Sequence, residues 1–302
     1  MKYIFVINSR ADKRDIIDND LEKQLSGKDI SYDVYHTEGI GDGIRFVRIY
    51  CDLHQNEEVC FVACGGCGTF NEVASGIVGF AKKSMAILAY GATNDFIKSF
   101  PGRDFHSLDK ILEGENTQID IIKVNDNYSL NVANIGFDSE VAFMGGKFIE
   151  NGMDGVAAFK KAIFRCILTK RYNNIQIIAD GEKLNKKRML LCTLGNGRWC
   201  GGQYICSPNA ILDDGLIEVC LFKTCSLITL LRLLKHYEKG DHLVDPFCMK
   251  KLVYRQAKHV TVKSKNLIYI GLDGETIAAG SYEVDILHNA INLVLPQKEE
   301  QI

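Results

Sequence analysis

A short apolar segment that runs directly into two glycines most constrains how this chain can fold. Residues Glu58–Cys64 have the length and composition of a buried strand, and Gly65 and Gly66 follow without a break. Three further apolar segments alternate with helical patterns: Tyr3–Ile7, Ser31–His36 and Met85–Tyr90. This alternation predicts an α/β fold, a doubly wound parallel sheet with helices on both faces. Such sheets bind ligands beyond the carboxyl ends of their strands, which is where these glycines lie.

The pattern changes near residue 117, where segments of the β type begin to dominate. Short apolar segments separated by turn residues recur from Gln118 to His288, and Ser226–His236 is a clear amphipathic helix with Ser226 as its N-cap. This pattern predicts a mostly antiparallel β-sandwich after the α/β part. The expected organisation is an α/β domain, a β-sandwich domain and a polar tail that is frayed or returns to the first domain, at residues 1–123, 124–295 and 296–302.

Charge and hydropathy exclude several function classes. The 302 residues include 36 lysines and arginines and 38 aspartates and glutamates, so the net charge of −2 offers no basic excess for nucleic acid. No apolar run reaches the roughly 18 residues of a membrane span, so a membrane contact would be peripheral. Nothing resembles a secretory signal, and we therefore expect the eleven cysteines to be reduced in a cytoplasmic protein.

The glycine loop after the third strand has the composition of an anion site. Gly65, Gly66 and Gly68 lack a Cβ and permit close backbone approach to a ligand, and the helix behind them presents backbone N–H groups. Thr69 and Asn71 add a hydroxyl and an amide that can bind phosphate or ribose. The same residues also fit a tight strand-to-helix turn that binds nothing.

A second loop, Gly91–Phe96, follows the fourth strand at the same predicted edge of the sheet. Helix capping can explain Thr93 and Asn94, and a favourable charge in the first helical turn can explain Asp95. Two polar loops at adjacent strand ends favour ligand binding over capping.

Together with later motifs, these loops resemble the diacylglycerol kinase catalytic family, which includes bacterial lipid kinases and sphingosine kinases. Gly65–Val73 is similar to the family pattern G-G-D-G-T-x-N-E-V except at Cys67, and Gly91–Lys98 is similar to its G-T-x-N-D-F/L-A-R pattern. Three later segments resemble the family's N-x-x-x-x-G-F-D motif, its glycine- and aspartate-containing stretch and its D-G-E motif: Asn131–Asp138, Gly201–Val219 and Asp273–Glu275.

The resemblance implies an ATP-dependent lipid kinase that transfers the γ-phosphate to a diacylglycerol-like lipid hydroxyl. Its first domain would then bind the nucleotide and its second domain the lipid, with ATP and Mg²⁺ as cofactors. The protein would be cytoplasmic and would contact the inner face of the membrane transiently. The edges of a β domain are also surfaces through which a homodimer can form.

The resemblance also implies a role for each matching residue. Asp273 would accept the hydroxyl proton, with Glu275 beside it, although an ordinary β-turn also fits these two residues. Asp95 and Asp120 would belong to a carboxylate cluster near the catalytic magnesium, and Asp120 lies in an apolar strand where a carboxylate needs a partner. The nucleotide would be held by a set from both loops and the first two strands: Asn8, Thr37, Gly65, Gly66, Cys67, Gly68, Thr69, Asn71 and Thr93.

Two further sites follow from the resemblance. Asp214, with the carbonyl groups of Ile211 and Leu216, would bind a separate structural magnesium through oxygen ligands. Lys160 or Lys161, on the predicted helix Asp154–Leu168, would either face the phosphates or simply be solvated.

Cys67 replaces the aspartate of the family's glycine loop, and this substitution leaves three interpretations open. A neutral thiol is a poor magnesium ligand, so the first is a weakened kinase that relies on Asp95, Asp120 and Asp273. The second is a nucleotide-binding regulatory protein with little transfer activity. The third is a thiol switch at Cys64 and Cys67, because a helix N-terminus lowers a thiol pKa. A zinc half-site also fits this pair, but no second C-x-x-C pair follows.

Overall fold

The chain folds into two units in the computed structural model, which describes residues 1–8, 14–91, 94–169, 172–186 and 188–298. Met1–Ile121 and the chain from His288 onward form the first unit, and Ile122–Leu287 form the second. Residues 288–295 lie in the first unit, where Leu293 pairs in parallel with Met85, and the domain bounds 1–123 and 124–295 stay a prediction.

The first unit contains a parallel sheet flanked by helices, as the alternating pattern predicts. Its strands pair in parallel in the order Lys83–Ala89, Val59–Gly65, Lys2–Asn8 and Tyr32–Thr37. All seven residues of the third strand are buried, which is typical of a parallel strand covered on both faces. In chain order the elements are β1 (Lys2–Asn8), α1 (Arg14–Leu25), β2 (Tyr32–Thr37), α2 (Asp42–Leu53), β3 (Val59–Gly65), α3 (Cys67–Ile77), β4 (Lys83–Ala89), a 3₁₀ turn (Phe96–Ser99) and α4 (Leu108–Leu112).

The second unit is built on strands that pair antiparallel, with two longer connections that each contain two helices. Its central strands lie in the order Leu252–Ala257, Ile217–Lys223, Met189–Gly195, Val132–Gly136 and His259–Leu272, and the last of these also pairs with Ile175–Ala179. The strands are β5 (Glu115–Val124), which enters the unit, β6 (Asn127–Ser129), β7 (Val132–Gly136), β8 (Ile175–Ala179), β9 (Glu182–Lys183), β10 (Met189–Gly195), β11 (Trp199–Cys200), β12 (Tyr204–Ile205), β13 (Ile217–Lys223), β14 (Leu252–Ala257), β15 (His259–Leu272) and β16 (Glu275–Leu295), which leaves it. The helices are α5 (Phe137–Glu150), α6 (Gly155–Thr169), α7 (Leu227–Lys239) and α8 (Pro246–Met249).

Helix α7 begins where the sequence predicts it to begin. The Ser226 hydroxyl accepts a hydrogen bond from the Thr229 backbone N–H, and Gly240 ends the helix in the left-handed conformation. Its inward face carries Leu230, Leu233 and Tyr237, at the spacing of one helical stripe.

Within the described residues, no helix combines the length and the apolar character needed to cross a bilayer.

Candidate functional site

The two glycine loops of the first unit meet at the carboxyl ends of β3 and β4. The backbone N–H groups of Tyr90 and Gly91 both donate to the Gly65 carbonyl oxygen at 2.8 Å. A Cβ on Gly91 would lie 2.4 Å from the Cα of Gly66, so no larger residue fits there without a backbone shift. Close contact between the two loops therefore explains why each loop has a glycine there, Gly66 in the first and Gly91 in the second.

The first turn of α3 lies open beside this contact. Gly66 precedes the helix in an extended conformation and has no side chain with which to cap it. A Cβ on Gly68 would meet nothing within 4 Å, whereas one on Gly65 would lie 2.3 Å from the Thr69 hydroxyl oxygen. Backbone N–H groups at an uncapped helix start form the kind of site that binds phosphate.

The structure brings Cys67 and Asp95 together. The Asp95 backbone N–H donates to the Cys67 sulfur at 3.2 Å, and the Asp95 carboxylate forms an ion pair with Lys98 at 2.7 Å. Asp95 is buried, so this ion pair offsets part of its desolvation. Asn94, between the loops, donates from its side-chain amide to the Gly91 carbonyl at 2.9 Å.

Cys64 has an environment unlike that of a reactive thiol. It is fully buried in β3, and burial raises the pKa of its thiol far above the usual range. All eleven cysteines lie among the described residues, and none of them forms a disulfide. These observations give no support to a thiolate at Cys64.

Asn8 and Thr37 end the two strands beyond β3. They lie opposite each other in the parallel register of β1 and β2, and Thr37 is buried. Both strand ends therefore point to the same edge of the sheet as the glycine loops. Thr93, the remaining predicted nucleotide contact, lies outside the described residues.

Asp120 has the partners that burial of a carboxylate requires. Its side chain is fully buried, and one carboxylate oxygen accepts from the Asn289 backbone N–H at 2.7 Å and lies 2.9 Å from His288 Nδ1. This pair joins β5 to the last part of β16 within the first unit. Its membership in a magnesium cluster with Asp95 stays a prediction.

Glu72 organises the loop after β2, a role that the sequence analysis missed. Its two carboxylate oxygens accept from the backbone N–H groups of Gly41 at 2.7 Å and Gly43 at 3.0 Å. A Cβ on Gly43 would lie 2.3 Å from the Glu72 carboxylate, so the glycine makes room for it. Glu72 and the two glycines are visible in the sequence. Their hydrogen bonds depend on the packing of α2 against α3, which the sequence does not show.

Asp273 occupies the hairpin turn between β15 and β16 in the second unit. Its φ of 48° and that of Gly274, 101°, match a tight two-residue hairpin. The carboxylate accepts four hydrogen bonds at 2.7–3.1 Å. One comes from the Ser129 hydroxyl, and three come from the backbone N–H groups of the successive residues Leu130, Asn131 and Val132. Burial raises the pKa of Asp273 to about 6, although these hydrogen bonds act in the opposite direction.

Asn131 links this carboxylate to the chain's single tryptophan. Its backbone N–H donates to Asp273, and its side-chain amide donates to the Trp199 carbonyl oxygen at 2.9 Å. Asp273 is thus held on a rigid turn by a preorganised ring of donors, which suits a group that must accept a proton in one position. Glu275 follows as the first residue of β16 and is partly buried.

The predicted structural magnesium site lies on a tight polar turn. One Asp214 oxygen accepts from the Leu216 backbone N–H at 3.0 Å, Gly215 is left-handed, and Ile211 is exposed. Nothing in this geometry tests the metal, so Ile211, Asp214 and Leu216 stay a predicted ligand set. Lys160 and Lys161 are both exposed on α6, and the Lys161 ammonium lies 4.6 Å from the Phe148 ring centre.

An apolar cavity of about 250 Å³ lies inside the second unit. Helices α5, α6 and α7 and strand β10 form most of its wall, with leucines and isoleucines as the main side chains: Ile163, Ile167, Leu190, Leu191, Leu230, Leu231, Leu233 and Leu234. Four residues with polar side-chain oxygens also line it: Asn134, Asp138, Tyr204 and Tyr237. Mostly apolar walls with a few convergent polar groups are typical of a site for a small apolar ligand.

The polar residues of the cavity are linked to one another. The Thr193 hydroxyl donates to the Asn134 amide oxygen at 3.0 Å and lies 2.7 Å from the Tyr237 hydroxyl. Burial raises the pKa of Asp138 to about 6. In the sequence, Asp138 is visible only as the last residue of the N-x-x-x-x-G-F-D motif. Nothing there indicates a role for Asn134, Thr193 or Tyr237, because the sequence does not show which strands pair.

Two family models match almost the whole chain. The model described as diacylglycerol kinase catalytic domain matches residues 2–124, and the one described as YegS C-terminal NAD kinase beta sandwich-like domain matches residues 131–295. These matches confirm the predicted fold class, an N-terminal α/β domain followed by a β-sandwich-like domain.

Similar proteins carry related names. A protein named diacylglycerol kinase from Staphylococcus aureus (strain bovine RF122 / ET3-1) is 27% identical over 266 residues, which cover 87% of this chain and 81% of that one. A solved structure described as a diacylglycerol kinase from Bacillus anthracis strain Sterne has a TM-score of 0.71 at 18% identity. A second structure from that strain, which carries this description provisionally, has a TM-score of 0.74 at 21% identity. Each alignment spans 97% of this chain and 96% of the other, and at these identities it supports the fold alone.

Proposed function

Because the chain belongs to the diacylglycerol kinase family, we propose that it is an ATP-dependent lipid kinase. The reaction transfers the γ-phosphate of ATP to the hydroxyl of a diacylglycerol-like lipid alcohol. Phosphoryl transfer needs a phosphate cradle, an oxygen-ligated cation and a proton acceptor for the hydroxyl. The chain offers candidates for each of these parts.

The paired glycine loops carry the nucleotide half of the proposal. The uncapped start of α3 supplies backbone donors for phosphate, and a Cβ on Gly68 would meet no described atom within 4 Å. Thr69 lies in the first turn of α3 and Asn71 in the second, while Asn8 and Thr37 end the neighbouring strands. We assign these residues, with Thr93, to nucleotide binding.

Magnesium would be held by carboxylates, with Asp95 and Asp120 as the assigned candidates. When bound, the cation offsets the negative charge of the phosphates. Cys67 provides no carboxylate, but its sulfur accepts a hydrogen bond from the Asp95 backbone N–H. The geometry of the loop therefore tolerates the cysteine even though its charge is lost.

Asp273 is the proposed proton acceptor. A carboxyl pKa near 6 is closer to neutral pH than that of an ordinary aspartate, which improves proton transfer from a hydroxyl. The four donors hold the carboxylate in one position while it gains and loses the proton. Glu275 is assigned a supporting role beside it.

The cavity of the second unit supports a lipid as the acceptor. Its apolar wall suits a hydrocarbon chain, and Asn134 and Asp138 supply hydrogen-bonding groups for a polar end. A volume of about 250 Å³ holds only part of a lipid, so the rest of the chain would remain outside.

The outer surfaces of α6 and α7 suit a transient membrane contact. Phe164, Leu168 and Ile228 expose 67%, 65% and 82% of their surface, although both helices also line the cavity. Exposed cations that can face anionic headgroups lie on the same two helices: Lys160, Lys161, Arg165, Arg232 and Lys235. Exposed apolar residues beside cations are typical of a surface that binds anionic bilayers. We infer that a cytoplasmic protein reaches its lipid in this way, and a homodimer stays a prediction.

Radiolabelled ATP tests the kinase proposal. The full chain is incubated with magnesium and anionic vesicles that contain diacylglycerol, a sphingoid base or a polyprenol. Label is expected in the lipid fraction, most strongly with diacylglycerol, and Asp273→Asn is expected to remove it. Absence of transfer to every lipid by a folded protein that binds ATP would refute the proposal.

The second candidate is a nucleotide-binding regulatory protein, and Cys67 is the observation that favours it. Cys67→Asp restores the family's carboxylate beside Asp95, and Cys67→Ser is the matched control without charge. Transfer that rises only with aspartate would identify the cysteine as the limit on a kinase. ATP binding without transfer in all three proteins would favour the regulatory candidate.

A further inference from the structure

A mixed group of metal-ligating side chains lies where α7 ends and α8 begins. His236 is in the last turn of α7, Asp245 is the N-cap of α8, and Cys248 lies within α8. A ring nitrogen, a carboxylate oxygen and the cysteine sulfur all lie within 4.8 Å of one another. No other such group of three occurs among the described residues.

The histidine is oriented as metal-binding histidines usually are. Its Nδ1 lies 2.8 Å from an Asp241 carboxylate oxygen, so Asp241 fixes the ring and its tautomer. The other nitrogen, Nε2, is directed at the group and lies 4.0 Å from an Asp245 oxygen. A carboxylate on one ring nitrogen, with the other nitrogen left for the metal, is the common arrangement around bound zinc.

The carboxylate and the thiol are also held in position. The Asp245 oxygen Oδ1 accepts from the backbone N–H groups of Phe247 and Cys248, each at 3.0 Å. Asp245 caps α8 and also forms a side-chain hydrogen bond with the buried Cys248 thiol, and the oriented imidazole lies beside both. Burial, helped by the Asp245 carboxylate, raises the pKa of the Cys248 thiol to about 12. Without a cation, the thiol stays protonated.

We propose that His236 Nε2, the Asp245 carboxylate and the Cys248 thiolate bind a zinc ion. One nitrogen, one oxygen and one sulfur ligand suit zinc and do not suit magnesium, which takes oxygen ligands. Binding forms a zinc–sulfur bond and releases the thiol proton to solvent. Zinc bond lengths imply ligand separations of about 3.5 Å, so the donors must approach one another by about 1 Å.

The ion would fasten the α7–α8 connection to the helix that forms the cavity wall. Leu230, Leu233 and Tyr237 of α7 line that cavity, and His236 is adjacent to the last of them. Zinc is therefore expected to stabilise the second unit. The proposal does not depend on kinase activity, because its readouts are metal binding and unfolding.

Zinc titration of the chelator-treated full chain, followed by calorimetry, tests the site. Wild type is expected to bind one equivalent and to unfold at a higher temperature with zinc. Cys248→Ser should weaken binding at least tenfold, and Asp241→Asn should weaken it between 10- and 100-fold, as loss of an orienting carboxylate does. Cys225→Ser is the matched control, because it removes a thiol of the same unit outside the group.

Cobalt provides an independent readout. In wild type, Co²⁺ should give a sulfur-to-cobalt charge-transfer absorption that is missing in Cys248→Ser and present in Cys225→Ser. Circular dichroism of the metal-depleted variants checks that they fold. The proposal is overturned if wild type binds no stoichiometric zinc, or if Cys248→Ser binds it with unchanged affinity.

Discussion

Removal of the Glu72 carboxylate should loosen the loop that follows β2. Glu72 accepts hydrogen bonds from the backbone N–H groups of Gly41 and Gly43, and its side chain is 92% removed from solvent. Hydrogen bonds to a charged group contribute about 1.5–3 kcal/mol each, and a buried donor left without a partner adds a penalty. We therefore expect Glu72→Ala to lower the free energy of unfolding by about 3 kcal/mol.

The variant Glu72→Gln removes the negative charge of the side chain but keeps its size and shape. The amide keeps one oxygen acceptor but turns an N–H₂ group toward the second backbone donor, so about half of the loss is expected. Urea unfolding followed by far-ultraviolet circular dichroism measures both variants. A loss below about 0.5 kcal/mol for Glu72→Ala would refute the reasoning, because it is the size of an ordinary surface change.

A double-mutant cycle tests the contact itself. A Cβ on Gly43 would lie 2.3 Å from the Glu72 carboxylate oxygen, so Gly43→Ala should be destabilising in wild type. In the Glu72→Ala background that oxygen is gone, and the cost of the second change should fall clearly. Additive effects would mean that the two residues do not constrain each other. ATP affinity measured on the same variants would show whether this loop serves the nucleotide site.

Four further outcomes are expected. The rate of phosphate transfer should fall as the pH drops through about 6, because protonation of Asp273 removes the acceptor, and a pH–rate profile with no such limb would contradict its role. By linkage, the raised pKa of Asp273 also means that its contribution to stability is greatest in acid and is lost as the pH rises through about 6, which pH-dependent urea unfolding measures. Gly91→Ala should weaken ATP binding at least tenfold, because its Cβ would lie 2.4 Å from the facing loop, whereas Gly39→Ala, with nothing within 4 Å, should not. Phe164→Asp and Ile228→Asp should each reduce sedimentation with anionic vesicles while ATP affinity stays unchanged.

The sequence predicted the parallel strands and α7 because short local patterns determine where these elements form. β1 and β3 are short apolar runs that end in polar or glycine residues, and Ser226 supplies the N-cap of α7. Helix α5 was missed, since it follows β7 at once and contains Gly145 and Gly146, which are poor helix formers. β15 continues as one strand across a register shift between Lys263 and Ile268, which no local pattern in the sequence marks.

The sequence predicted site residues only where they match a family motif. The glycine loops and Asp273 were found because their letters match a family pattern, but the four donors around Asp273 come from a loop about 140 residues earlier in the chain. The same holds for Asp120, whose partners His288 and Asn289 are distant in sequence. Contacts of this kind depend on strand pairing, which no local pattern specifies.

The contact between Asn131 and Trp199 gives the protein a built-in fluorescent reporter. The chain has one tryptophan, and its carbonyl accepts a hydrogen bond from the residue whose backbone N–H holds Asp273. The indole is partly buried, so its emission should respond when the surrounding loop changes its exposure to water. Intrinsic fluorescence can therefore follow the neighbourhood of the proposed proton acceptor during lipid or nucleotide binding, with no label attached.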